Sequence, residues 1–135
     1  MENTTRIDMH DYDTVLPDNP AGRDEAAEWV ADETGLPLHV TIAYVQAFGD
    51  SIMGVWELDE IAADCEYRLR GSFDEQGDFA RWMAEQDGDT PPDYIDYHVD
   101  WDAVERDMES NGDIVRMTVH LGLLDEKTVI FDAFH

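Results

Sequence analysis

The chain has 135 residues, of which 33 are acidic and 8 are basic, so its formal net charge is −25. Hydrophobic residues make up 43% of it and include 4 Trp, 5 Tyr and 5 Phe, which is too many core-forming side chains for a disordered acidic tail. A field of this sign repels nucleic acids and anionic membranes and attracts basic partners, so we expect no direct binding to DNA, RNA or lipid.

The number of cysteines and the length of the apolar runs narrow the class of protein further. Cys65 is the only cysteine, which excludes an intrachain disulfide framework. The N-terminus has no basic segment followed by an apolar one, and no apolar run approaches the ~18 residues of a membrane helix. We therefore expect a soluble protein of the cytoplasm.

The first half of the sequence predicts three helices after a short strand over residues 6–12. Asn19 followed by Pro20 is typical of a helix start, and this helix is expected to reach about Thr34 and to stop at Gly35. A second helix ends at Gly49, and its helical spacing is carried by Val40, Ala43, Tyr44, Ala47 and Phe48. A third spans roughly 57–68, with an apolar stripe of Leu58, Ile61, Ala62, Cys65 and Leu69.

The second half predicts two more helices and a hairpin. Ser72 and Glu75 have the spacing of a capping box, which would start a helix that turns Phe79, Trp82 and Met83 inward. An acidic loop over 87–93 follows, and then a helix from near Asp100 to Gly112 that buries Trp101, Val104 and Met108. Alternation over 115–121 predicts a strand, 122–127 a turn, and 128–134 a second strand.

These elements predict an α+β fold. We expect an elongated molecule with a helical N-terminal part, followed by helices packed with a C-terminal β-hairpin or small antiparallel sheet. The expected division is a small helical domain over 1–50 and an α+β domain over 51–135.

The spacing of the acidic residues along the predicted helices carries information that the composition alone does not. Glu60 and Asp64 stand at i, i+4 on one predicted helix, and Asp74 and Asp78 on another. Like charges at this spacing destabilise a helix, whereas a lysine would stabilise it. One explanation is a solvated face that happens to be acidic, and a second is salt adaptation, because halophilic proteins are also acidic and poor in lysine.

Segments from about Arg6 to Phe134 resemble, in the same order, segments of the antirestriction proteins of the ArdA family. Residues 9–13 resemble its I-H-D-Y-E segment, and residues 42–50 its A-Y-x-x-x-x-G-D segment. Residues 67–80 resemble Y-x-G-x-Y-x-S-x-E-D-F-A with altered spacing, and residues 94–108 resemble Y-I-D-W-x-x-x-A-R-D-L with extra residues. Ile130 and Phe131 stand where the family ends in V-F.

The resemblance implies an elongated, homodimeric DNA mimic from a phage, plasmid or transposon, acting in the host cytoplasm. It would occupy the DNA channel of type I restriction-modification enzymes. The two expected domains would correspond to the family's middle and C-terminal domains. The family's usual N-terminal domain ahead of the H-D-Y segment is missing here, so we expect a shorter mimic, whose target is this enzyme class or a related DNA-binding defence complex.

No pattern indicates catalysis or a cofactor. The sequence contains no Walker A, G-x-S-x-G, G-x-G-x-x-G or H-E-x-x-H motif and no calcium loop, so neither an enzyme nor a metal site is predicted. The candidate mimic surface consists of acidic residues on and beside the third and fourth helices: Asp59, Glu60, Asp64, Glu66, Asp74, Glu75, Asp78, Glu85, Asp87, Asp89 and Asp93.

Two other functions remain open from the residues alone. The chain is suited to be an acidic binding module for a basic nucleoid or histone-like protein, since such a partner would also seek a negative field. It is equally compatible in composition with a salt-adapted soluble domain.

Overall fold

The computed structural model describes residues 11–86, 88 and 99–133. The α+β class is confirmed there, with five helices and a three-stranded antiparallel sheet. In chain order the elements are α1 (Pro20–Thr34), α2 (Leu38–Ile52), α3 (Leu58–Arg68), β1 (Leu69–Phe73), α4 (Asp78–Gln86), α5 (Trp101–Ser110), β2 (Ile114–His120) and β3 (Glu126–Asp132).

The chain divides into two compact units between Arg68 and Leu69. The boundary expected between residues 50 and 51 falls inside α2 and hence inside the first unit, because α3 packs against α1 and α2. The assignment of the parts to the middle and C-terminal domains of the resembled family stays a prediction.

In the first unit, α1 begins and ends where its sequence predicts. The Asn19 side chain accepts a hydrogen bond of 2.7 Å from the Gly22 amide, and Gly35 ends the helix with φ +77. The helix buries Ala26, Ala27 and Val30. These small and β-branched side chains allow close packing against α2, whose Val40, Ala43 and Tyr44 are also buried.

The predicted end of α2 at Gly49 is wrong. The helix continues to Ile52 and ends at Met53, with Gly54 following at φ +78. Gly49 is instead buried within the helix, where an added Cβ would lie 2.7 Å from the Arg23 guanidinium carbon. The glycine therefore makes room for a neighbouring side chain rather than terminating the helix.

The strand expected over 6–12 lies mostly outside the described residues, and its described part is a turn at Tyr12. The segment after it runs beside the start of α3. The Tyr12 and Thr14 carbonyls accept hydrogen bonds from the Asp59 and Leu58 amides at 3.0 and 2.9 Å. This segment thereby satisfies two of the amides that open α3.

In the second unit the strand order is β1-β3-β2, with every neighbour antiparallel. The hairpin predicted at the C-terminus is confirmed, and its first strand starts at Ile114 and its second at Glu126. The capping box predicted at Ser72 is wrong, because Leu69–Phe73 forms a strand on β3 and α4 begins only at Asp78. Pairing with β3 outweighs the local helix signal here.

One hydrophobic cluster in the core of the second unit consists of Phe79, Ile114 and Ile130, with Phe73, Met83 and Met108 packed against it. Two predictions about buried side chains are wrong, because Trp82 and Val104 are each 39% exposed. Trp101 is half-buried, and the fully buried residue of α5 is the acidic Glu105. Its burial depends on hydrogen-bond partners from other elements.

Candidate acidic interaction surface

The densest exposed row of acids in the first unit lies on α1, whose face away from the core carries Asp24, Glu25, Glu28 and Asp32. At a rise of ~1.5 Å per residue these four carboxylates stand on average ~4 Å apart along the helix axis. One strand of duplex DNA carries one phosphate per ~3.4 Å of axis. The axial charge density of this row is therefore close to that of a single DNA strand and slightly below it.

This row is arranged against the stability of its own helix. Asp24, Glu28 and Asp32 follow at i, i+4 and i+8, a spacing at which like charges repel. Asp32 and Glu33 also stand in the last turn, where the negative end of the helix dipole disfavours carboxylates. The α1 acids were not among the predicted site residues, although the same i, i+4 signal that singled out Glu60 and Asp78 was present.

A second concentration of negative charge lies at the start of α3. Asp59, Glu60 and Glu66 are exposed, as predicted for surface residues, and the Glu57 amide donates a 2.9 Å hydrogen bond to Glu60. Desolvation raises the pKa of Glu57, and the charges of Asp59, Glu60 and Asp13 raise it further. The carboxylates at this helix start are thus close enough to affect each other's protonation.

Asp64 points into the first unit and is excluded from the candidate surface. Its side chain is only 9% exposed, and Oδ2 accepts hydrogen bonds from the Tyr44 hydroxyl at 2.5 Å and from Arg68 Nε at 2.8 Å. The Arg68 guanidinium in turn lies 4.5 Å from the centre of the Phe48 ring. Asp64 therefore neutralises a partly buried arginine and satisfies a buried tyrosine.

In the second unit the predicted acids differ in their exposure. Asp74, Glu75 and Glu85 are exposed, whereas Asp78 is half-buried and accepts a 3.1 Å hydrogen bond from the Glu75 amide. Asp74 pairs with the Lys127 ammonium, whose hydrogen bond holds the pKa of this carboxyl below its ordinary value. The remaining predicted site residues lie outside the described part of the chain: Asp87, Asp89 and Asp93.

Every arginine and lysine in the described ranges forms an ion pair with a carboxylate. Arg23 shows the pattern, since it contacts Asp18 and Asp50, both at 2.7 Å. The same holds for the other described cations, Arg68, Arg70, Arg81, Arg106, Arg116 and Lys127. The described residues of the first unit contain fourteen acids and two arginines, and those of the second contain thirteen acids and five cations. The cations are therefore neutralised locally and form no basic patch.

Neither a metal site nor an activated thiol is found within the described residues. No group of three His, Cys, Asp or Glu side chains there is arranged to hold a metal ion. Cys65 is fully buried, and burial raises the pKa of its thiol to about 12, so it lacks the thiolate character of a nucleophile. None of the helices in these ranges combines the length and apolarity needed to cross a bilayer.

Comparison with known proteins points to one family. A family model described as antirestriction protein (ArdA) matches residues 5–120, which is most of the chain. No curated protein and no solved structure matches.

Proposed function

The chain belongs to the ArdA family of antirestriction proteins, and from this premise we propose that it is a DNA mimic. It occupies the DNA-binding channel of a type I restriction-modification enzyme or of a related DNA-binding defence complex. The observation that carries the proposal is the exposed carboxylate row on α1, in a protein whose described cations are all engaged in ion pairs.

The mechanism is competition for contacts that normally hold phosphates. Proteins that bind DNA draw much of their affinity from Lys and Arg contacts to the backbone. Carboxylates on α1 can accept the same contacts, and the packing of α1 on α2 and α3 holds them in place. Folding already fixes the backbone that carries these carboxylates. Binding to the enzyme therefore loses less free energy to ordering them.

The protein acts without a catalytic step, and its inhibition is reversible. In line with the resemblance to the family, the active species is a homodimer in the cytoplasm of the host cell. In the first unit the contacts with the enzyme come from the α1 row and the exposed acids Asp59, Glu60 and Glu66. In the second unit they come from Asp74, Glu75 and Glu85.

The test combines cells and purified components. Expression should rescue unmodified phage in a strain with a type I system and have no effect in the isogenic strain without it. In vitro, the protein should displace a labelled duplex from the purified enzyme, with an affinity that falls as salt rises. Rescue in both strains, or failure to displace the duplex from an enzyme that binds it, would refute the proposal. Circular dichroism at low salt serves as a control, because a salt-adapted domain would unfold there.

A further inference from the structure

The tip of the β2–β3 hairpin exposes leucines. The two strands pair as far as His120 opposite Glu126, which leaves a five-residue loop. Leu123 and Leu124 in this loop are fully exposed, at 103% and 100%, and Leu121 is 47% exposed. A 2.7 Å hydrogen bond from the Leu121 amide to the Asp125 carbonyl closes the base of the loop.

The turn itself gives no reason for leucine at these positions. Turns favour Gly, Pro, Asn, Asp and Ser, each of which supplies a conformation or a local hydrogen bond that leucine lacks. Leu123 and Leu124 contribute nothing to the core of the second unit, because they are fully exposed. Adjacent exposed apolar side chains of this kind mark a surface that is covered by a partner.

The charge around the tip indicates the kind of partner. Leu124 lines a groove with five carboxylates, those of Asp74, Glu75, Asp78, Asp125 and Glu126. The neighbouring Lys127 is bound to Asp74 and neutralises only that carboxylate. If a second copy of this chain docked here through its own hairpin tip, the carboxylates of the two grooves would face each other. Like charges that face each other across an interface oppose association. A cationic protein surface has the complementary charge.

We propose that the hairpin tip is a docking element, in which Leu123 and Leu124 enter an apolar pocket within a basic surface of the inhibited enzyme. This inference rests on the proposed function and adds a component that DNA does not possess. Burial of leucine is not screened by salt, whereas contacts between exposed charges are. The tip therefore contributes affinity that persists at high salt and that discriminates between enzymes with similar DNA channels.

The experiment compares variants of the full chain in binding to a purified type I restriction-modification enzyme. The L123Q/L124Q variant keeps the net charge of the chain and removes the apolar side chains of the tip. The control is V55Q, which changes a valine of the first unit whose side chain is 69% exposed. The double variant should bind about a hundredfold more weakly, roughly tenfold for each leucine. The loss should be equal at low and high salt, while V55Q binds as the parent does. Unchanged circular dichroism and molar mass confirm that fold and association state are intact.

The outcomes separate this inference from the proposed function. If the parent protein fails to displace DNA from the enzyme, both are overturned. If the parent displaces DNA and L123Q/L124Q does so equally well, only the docking element is overturned. If the double variant instead lowers the molar mass in solution, the leucines join copies of this chain, and the inference is again overturned.

Discussion

Glu105 on α5 and Arg116 on β2 form an ion pair inside the second unit, with 3.0 Å between Oε1 and Nη1. The Glu105 side chain is fully buried and also accepts hydrogen bonds from the Gly77 and Ala80 amides at 3.0 and 3.2 Å. These amides belong to the start of α4, so a carboxylate from another helix caps it. One side chain thus connects α4, α5 and the sheet.

Removal of this carboxylate should strongly destabilise the second unit. The E105A substitution leaves two buried amides without an acceptor and removes one carboxylate partner of Arg116. We expect the free energy of unfolding to fall by about 3–5 kcal/mol. E109A is the control, because Glu109 is 43% exposed and lies 3.8 Å from Arg116, so its loss should stay below about 1 kcal/mol. Urea unfolding followed by circular dichroism measures both. Equal effects would show that the buried cap contributes nothing specific.

Gly77 precedes α4 and should not tolerate a side chain. Its φ is +95, and an added Cβ would lie 2.7 Å from the Asp102 amide nitrogen. We expect G77A to cost about 3 kcal/mol, since strain and a backbone clash add up. Gly35 has a similar φ of +77 but open space around it, so G35A should cost only about 1–2 kcal/mol. Similar losses in the urea midpoint of the two variants would contradict the clash.

Neutralisation of the α1 row should move stability and inhibition in opposite directions. In D24N/E28Q/D32N two repulsive i, i+4 pairs disappear, which should stabilise the helix by about 0.2–0.5 kcal/mol per pair. The same change should weaken binding to the restriction enzyme by between about threefold and a hundredfold at low salt, and E28Q alone by less than about fivefold. Thermal unfolding and displacement of labelled duplex provide the two measurements.

The control for the row is D11N/D107N/D113N, which removes three exposed acids that are scattered over the chain. It reduces the net negative charge by the same amount, and its effect on binding should be clearly smaller than that of the α1 variant. An equal loss would mean that the total charge matters and that the row has no particular role.

The stability of the first unit should fall in mild alkali because of Cys65. Its pKa is raised to about 12 in the folded chain, whereas an unfolded thiol ionises near pH 8.5. Below ~8.5 this contribution is complete, and it is lost as pH rises toward the folded value. The difference in the free energy of unfolding between the parent chain and C65A should therefore shrink by about 2 kcal/mol between pH 7 and pH 10. A constant difference, or rapid alkylation of the native thiol, would contradict this.

Local signals predicted the helical part of the fold well. For α1, both ends are specified by residues in contact with the helix itself, namely Asn19, Pro20 and Gly35. The β1 strand was missed because its five residues gain their stability from pairing with β3, far along the sequence. The same dependence explains why the capping box predicted at Ser72 does not form. The local preference of this segment for a helix start is weaker than the stabilisation that β1 gains by pairing with β3.

The candidate surface was predicted less completely. Spacing alone selected Glu60 and Asp64 as a repelling pair, yet only Glu60 is exposed, because Tyr44 and Arg68 bind the Asp64 carboxylate. Sequence spacing on a helix specifies which residues share a face. It does not specify which carboxylate on that face finds a donor on a neighbouring helix.

The excess of negative charge, the helical first half and the C-terminal hairpin can be read from the amino-acid sequence, because they follow from composition and from interactions within a few residues of one another. The burial of Glu105 as a cap, the inward position of Asp64 and the exposure of Leu123 and Leu124 depend on how the elements pack. The free energy of burying or exposing a side chain depends on donors, acceptors and apolar neighbours from distant parts of the chain. Those neighbours exist only once the elements have packed.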